Sequence, residues 1–198
     1  MKVVVLTSGG IDSALLLHLF KKEGHSILPL HINYNQLAET REWEACKSIC
    51  EYFSLTPFRM DVTGLGKLPS GLTNSNLDVY EKAFLPTRNL TFVTLGAAYA
   101  YSMDTDTIGI GLLKNHVFPD QTKEFVEKAQ ISISESLGKQ MKILVPLIEL
   151  DKRDVLMLAH DYKIPNVTYY CHSGTESPCG RCISCKERQA AESALAAN

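Results

Sequence analysis

Residues 3–6 form an unbroken apolar run that passes through Thr7 into Ser8-Gly9-Gly10, and apolar positions then recur at Ile11, Leu15, Leu16, Leu19 and Phe20 up to Gly24. The first pattern is that of a buried strand, the second has helical spacing, and the glycine pair marks a tight turn between them. A short apolar stretch over 27–32, bounded by polar residues, predicts a second buried strand and with it a βαβ unit. Helical spacing over about 39–53 and a strand over 58–62 continue the alternation. From 63 to 85 the regularity fails, because Gly64, Gly66, Pro69, Gly71 and Asn74-Ser75-Asn76 interrupt every candidate element. An irregular stretch of that length inside a compact domain points to a functional lid or a mobile loop. Order resumes with a helix over 88–103, a strand over 107–112, a helix over 120–137, an apolar triplet at 143–145 and a helix over 151–162. Alternating strands and helices predict an α/β, Rossmann-like domain over 1–165, a parallel sheet with helices on both faces. Residues 166–198 change character, rich in Cys, Gly, Ser and Pro before an alanine-rich helical tail, and read as a small segment packed on that domain.

Of the 198 residues 45% are apolar and 21% charged, which excludes disordered, collagen-like and coiled-coil chains. Twenty Lys and Arg against 22 Asp and Glu leave a net charge of -2. No overall basic field recruits nucleic acid, and a polynucleotide partner would need a local patch. The opening MKVVVLTSGG lacks the long apolar core and cleavage site of a secretory signal, and no stretch approaches the roughly 20 apolar residues that cross a bilayer. The expected location is cytoplasmic, with no membrane partner. In a reducing compartment clustered thiols hold metal more often than they form disulfides. Cys171, Cys179, Cys182 and Cys185 supply four soft ligands within fifteen residues, a set suited to tetrahedral Zn²⁺ with no open position, hence structural. His172 is a possible substitute ligand. Cys46 and Cys50, at i and i+4 of a helix, read as buried small apolar residues.

The turn Ser8-Gly9-Gly10-Ile11-Asp12-Ser13, with Thr7 before it, lies where the first strand becomes the first helix. Backbone amides and the positive helix end converge there and suit an anion. Two glycines let the main chain approach a ligand, and the Ser8 and Ser13 hydroxyls can donate to phosphate oxygens. Asp12 would repel bare phosphate, so it implies Mg²⁺ bridging carboxylate and phosphate, or a helix cap. The pattern is neither G-x-x-x-x-G-K-[ST] nor G-x-G-x-x-G. A plain Gly-Gly turn capping a helix is the other reading.

The six residues resemble the S-G-G-x-D-S loop of the PP-loop ATP pyrophosphatases, which cleave ATP between the α and β phosphates, adenylate a carboxylate or carbonyl oxygen and release pyrophosphate. Together with Cys171, Cys179-Gly180-Arg181-Cys182 starting eight residues after it, and Cys185, followed by Arg188, the chain resembles the 7-cyano-7-deazaguanine synthases of the QueC family. Tyr34-Asn35-Gln36, Pro86-Thr87-Arg88-Asn89, Pro119-Asp120, Pro146-Leu147 and Lys152 extend the resemblance along almost the whole chain. It implies an adenine nucleotide alpha hydrolase type of fold with a zinc-binding tail, and a reaction in which 7-carboxy-7-deazaguanine, ATP and ammonia give the nitrile through adenylate and amide intermediates. It also implies ATP, Mg²⁺ and Zn²⁺ as cofactors and a homodimer. On this resemblance Ser8, Asp12, Ser13, Arg88 and Lys152 are catalytic, Thr7 and residues 8–13 bind the nucleotide, and Arg88, Asn89 and Asp120 bind the substrate. Taken alone, Lys152 could be a solvated surface lysine, Arg88 half of a surface ion pair, and Asp120 an acid at a helix start. The chain departs from the family at Leu37-Ala38, where Arg-His is usual, and at Gln121-Thr122, where Cys-Arg is usual. A related reading is a ligase that activates the carboxylate once and joins it to an amine, on a protein in one version. A nucleotide-binding module without turnover is a reading of another class.

Overall fold

A computed structural model describes residues 1–115 and 117–197. Five strands, β1 Lys2–Leu6, β2 Ser26–Asn33, β3 Phe58–Asp61, β4 Thr107–Gly109 and β5 Lys142–Leu144, form one parallel sheet in the order β3-β2-β1-β4-β5. Six helices accompany them: α1 Ile11–Lys22, α2 Glu39–Tyr52, α3 Arg88–Ser102, α4 Lys123–Leu137, α5 Lys152–Asp161 and α6 Ile183–Ala196. The central strand β1 explains its own sequence. Val4 and Leu6 join one core with Val93 and Ala97 of α3 and Val126 and Ile133 of α4; Val3 and Val5 join another with α1, α2 and Val155 of α5. A strand covered on both faces has no use for alternation, so it reads as a continuous apolar run.

Strand β4 stops at Gly109 rather than continuing to 112. The Ile110 amide still bonds the Leu144 carbonyl at 3.0 Å, and the chain then turns away so that Ile110, Gly111 and Leu112 line a cleft. The helix expected over 120–137 is divided: Pro119–Gln121 is a 3-10 turn, and Thr122 caps α4 by accepting from the Phe125 amide at 3.1 Å. A hydroxyl placed to satisfy an orphan amide starts the helix there.

Residues 63–85 are not a loose loop. A 3-10 turn over Thr63–Lys67 leads into turns stitched by Gly71 N to Lys82 O at 2.7 Å and Leu37 N to Leu72 O at 2.8 Å. Leu72, Ala83 and Leu85 are buried with Tyr34. Regular periodicity is missing because the segment folds over the β2–α2 connection by turns, not because it lacks a core. At the other end, α6 lies against α5, and the Tyr169 amide bonds the Gly9 carbonyl at 3.0 Å. No helix among the described residues is long and apolar enough to cross a membrane.

Candidate active site

Strand order reverses between β1 and β4, and in open parallel sheets the crevice at such a switch, beyond the carboxyl ends of the strands, is where ligands bind. Here it holds a cavity of about 280 Å³. Its floor is the turn after β1. Gly10 occupies the N-cap of α1, so the first amides of the helix lack intrahelical partners and bring positive charge to the cavity. The Ser8 hydroxyl accepts from Gly10 N at 3.3 Å, and the Ser13 hydroxyl donates to Gly10 O at 2.9 Å. Thr7 has both donors engaged, its amide with Leu30 O at 2.8 Å and its hydroxyl with Val5 O at 2.9 Å.

The glycines serve different ends from those the pattern suggested. Gly9 has φ +85°, and a Cβ there would lie 2.4 Å from Glu42 O and 2.7 Å from Cys46 N. It is needed so that the turn can press on α2. At Gly10 a Cβ would meet nothing nearer than 3.4 Å, so only that glycine leaves room toward the cleft.

Asp12 is bridged by Lys152, whose Nζ donates to both carboxylate oxygens at 2.7 Å. The pair crosses from α1 to the start of α5, and the lysine side chain is only 14% exposed. That geometry places Lys152 in the cleft wall instead of in bulk solvent, and it neutralises the carboxylate beside the turn after β1. Arg88, at the start of α3, lines the same cavity. Its guanidinium pulls the Tyr34 phenol down, but burial dominates and pushes that group up to about 12. Asn89 is buried in the wall, while Asp120 does not line the cavity. The Asp120 carboxylate accepts from Asn89 N at 3.0 Å and Nδ2 at 3.2 Å, satisfying the start of α3.

Three wall residues carried little sequence signal. Glu42 stands in the first turn of α2, where its side chain lines the cavity and accepts from Gln36 Nε2 at 2.8 Å. Burial raises its pKa, against the opposing Gln36 bond and the Arg88 charge. His172 lines the cavity rather than joining the sulfurs; burial, with Arg88 and Lys152, lowers it to about 4. Glu187, on α6, is raised by burial. Of these, only His172 stood next to a motif.

The sulfurs of Cys171, Cys179, Cys182 and Cys185 lie within 4.8 Å of one another. Cys179 and Cys185 Sγ are 3.9 Å apart, close to the roughly 3.8 Å edge of a tetrahedron with metal–sulfur bonds of about 2.3 Å. Backbone amides of Cys179, Cys182 and Cys185 point at Cys171, Cys179 and Cys182 Sγ at 3.3, 3.4 and 3.4 Å, an arrangement that stabilises thiolates. The four could hold a metal. Cys46 and Cys50 are fully buried in the α1–α2 core, as small apolar residues.

At the departures from the family, packing and caps stand where polar groups were expected. Ala38 is 2% exposed at the start of α2, and Thr122 is the cap of α4. Gln121 Oε1 accepts from the Val117 and Phe118 amides at 3.0 and 2.9 Å.

The sheet order, the glycine turn at the switch point and the cysteine tail define an α/β protein of the PP-loop class. Among solved structures the chain is similar to NMN synthetase from Francisella tularensis (TM-score 0.57, 16% identity, 100% of this chain and 77% of that one). It is equally similar to the U34-tRNA thiolase NcsA from Methanococcus maripaludis with its [4Fe-4S] cluster (TM-score 0.57, 16% identity, 100% and 66%). At those identities the likeness is one of fold. Within the class, the chain belongs to the QueC family, "Queuosine biosynthesis protein QueC", which residues 2–195 match. It is 31% identical over 202 residues to a 7-cyano-7-deazaguanine synthase from Nautilia profundicola, covering 94% of this chain and 91% of the relative. With the enzyme of that description from Acetivibrio thermocellus it shares 34% identity over 201 residues, 93% and 89% of the two chains.

Proposed function

We propose that this chain converts 7-carboxy-7-deazaguanine to 7-cyano-7-deazaguanine with ammonia and two molecules of ATP. A carboxylate resists attack by nitrogen until one oxygen becomes a good leaving group, so activation comes first. The acid's oxygen attacks the α phosphorus and pyrophosphate leaves; ammonia then adds to the acyl carbon, and AMP departs with the C–O bond. A second adenylation at the amide oxygen, followed by loss of AMP and protons, leaves the nitrile.

The first-turn amides of α1 with Ser8 and Ser13 would hold the pyrophosphate portion, and Lys152 would offset the charge that develops on it. Arg88 would grip the acid's carboxylate or the α phosphate, beside Asn89, which Asp120 holds in place. Asp12 and the nucleotide's phosphates would hold Mg²⁺, which supplies charge neutralisation for the departing pyrophosphate. The four cysteines would hold Zn²⁺ as a structural ion. A cytoplasmic homodimer goes with this reading.

The observation that carries it is the meeting, on one cavity, of the glycine turn with the Asp12–Lys152 pair, Arg88 and the residues flanking the sulfur cluster. Mass spectrometry of products from ATP, Mg²⁺, ammonium and the carboxylated deazaguanine tests it. The nitrile with two AMP per product is expected, and unchanged acid would sink it.

A second reading, a ligase that activates the acid once and transfers it to an amine, on a protein in one version, is favoured by the apolar and capping residues at Ala38 and Thr122. It predicts one AMP per product and an amide.

A further inference from the structure

The cavity is built for anions, since it gathers helix-start amides, Lys152 and Arg88. Its wall nevertheless includes the carboxylate of Glu42. The residue sits where α2 touches the turn after β1, its carbonyl oxygen against Gly9, so its backbone cannot withdraw. Gln36 fixes the side chain from behind. Its Oε1 accepts from the Tyr34 amide at 3.0 Å, which settles the orientation of the amide group and leaves Nε2 to donate to Glu42 Oε2 at 2.8 Å. Among the described residues no hydrogen bond reaches Oε1, and Oε2 keeps a second lone pair. The same cavity is lined by Tyr34 and Phe92, their ring centroids 5.3 Å apart, and by Leu72, Ala83 and Arg88, whose charge acts on Glu42.

A half-buried carboxylate in an anion site is unfavourable unless the ligand brings its own donors. ATP phosphates and a substrate carboxylate bring none. The pyrimidinone ring of a guanine-like molecule does: its N1–H and exocyclic amino group form a side-by-side donor pair that matches two carboxylate oxygens, much as an arginine fork does. Asp120, the other acid that the resemblance places at the substrate, is engaged with Asn89 away from the cavity.

We propose that Glu42 reads the N1–H and 2-amino edge of the substrate and sets its specificity for a 2-aminopyrimidinone ring, with Gln36 as its positioning residue. This rests on the deazaguanine reading and names the residue that recognises the ring.

Acid-dependent exchange of pyrophosphate into ATP tests it, with 7-carboxy-7-deazaguanine and its analogue lacking the 2-amino group as the acids. The unmodified protein is expected to favour the parent acid on the order of 10²-fold in kcat/KM, because loss of the amino group leaves a buried acceptor unpaired. In Glu42→Gln that preference is expected to shrink to within about threefold, with KM for ATP unchanged. A preference equally large in both proteins overturns the proposal, as does an unmodified protein indifferent to the 2-amino group, so the test survives a variant that misfolds. Exchange with neither acid in the unmodified protein overturns the deazaguanine reading, and this inference with it.

Discussion

The turn after β1 and the segment from Tyr169 to Cys185 both border the cavity, but they are held by different means. The turn is fixed by backbone packed on backbone: Gly9 against α2, Thr7 bonded to β2, Gly10 at the head of α1. The tail has little core of its own: Cys171, Cys182 and Cys185 are buried, and they cluster with Val79 of the segment before α3. A segment of that size needs a staple, and four sulfurs within 4.8 Å are placed to accept one. The contrast teaches where damage should appear. Changes to the polar side chains beside the turn should act on chemistry with the fold intact, whereas changes at the sulfurs should release a wall that carries Tyr169, Tyr170, His172 and Ile183.

The largest effect is therefore expected at the sulfurs. Cys182→Ser, at a fully buried position, should abolish acid-dependent pyrophosphate exchange and expose residues beyond about 165 to limited proteolysis, while the far-ultraviolet dichroism of the sheet and the other helices persists. A metal chelator should do the same to the unmodified protein. Full activity in Cys182→Ser would break the comparison, because the wall would then stand without its staple.

Next comes Lys152. The ion pair with Asp12 is partly exposed, so its contribution to stability is small. In the proposed reaction the same ammonium would stand beside developing phosphate charge and count for far more. Lys152→Ala is expected to lower kcat about 10²- to 10³-fold and to move the thermal midpoint by only a degree or two. If the midpoint fell sharply while turnover survived, the pair would be structural and the division between turn and tail would fail.

How much of this was legible in the sequence follows from the same physics. Strand β1, helix α1 and the cysteine spacing are local patterns whose causes act over a few residues, and they stand where the periodicity and the C-x-x-C spacings put them. Residues 63–85 look irregular because their order comes from distant partners such as the Leu37–Leu72 bond, which no window reveals. The end of β4 depended on where the cleft begins, and Thr122 outcompeted Asp120 as the start of α4. In the site, motif residues were visible, but Glu42 and Glu187 stand on helix faces where an acid normally signals solvent. Only the packing of α2 on Gly9 and of α6 on α5 turns them toward the cavity.

The smallest effect concerns how acid acts on the turn. His31, on β2, is 1% exposed and bonds the Thr7 carbonyl through Nδ1 at 3.0 Å, so Nδ1 carries the proton, while Nε2 makes no hydrogen bond among the described residues and lies 3.9 Å from Glu39 Oε1. Burial lowers the ring's pKa to about 4, with the Arg59 charge adding to it and the Thr7 bond opposing. In the unfolded chain the same ring titrates near 6.5, so between those values the unfolded state binds the extra proton and stability falls as pH falls. The loss sets in below about pH 6.5 and is complete below about pH 4. Thermal melting across that window should show the loss in the unmodified protein, and His31→Gln, which can donate to Thr7 without titrating, should flatten it. Residual acid sensitivity in that variant would then belong to other groups, protonation of the cysteine thiolates among them, and cleavage beyond residue 165 would locate it in the tail. An unchanged pH profile in His31→Gln would show that the turn has no acid response of its own.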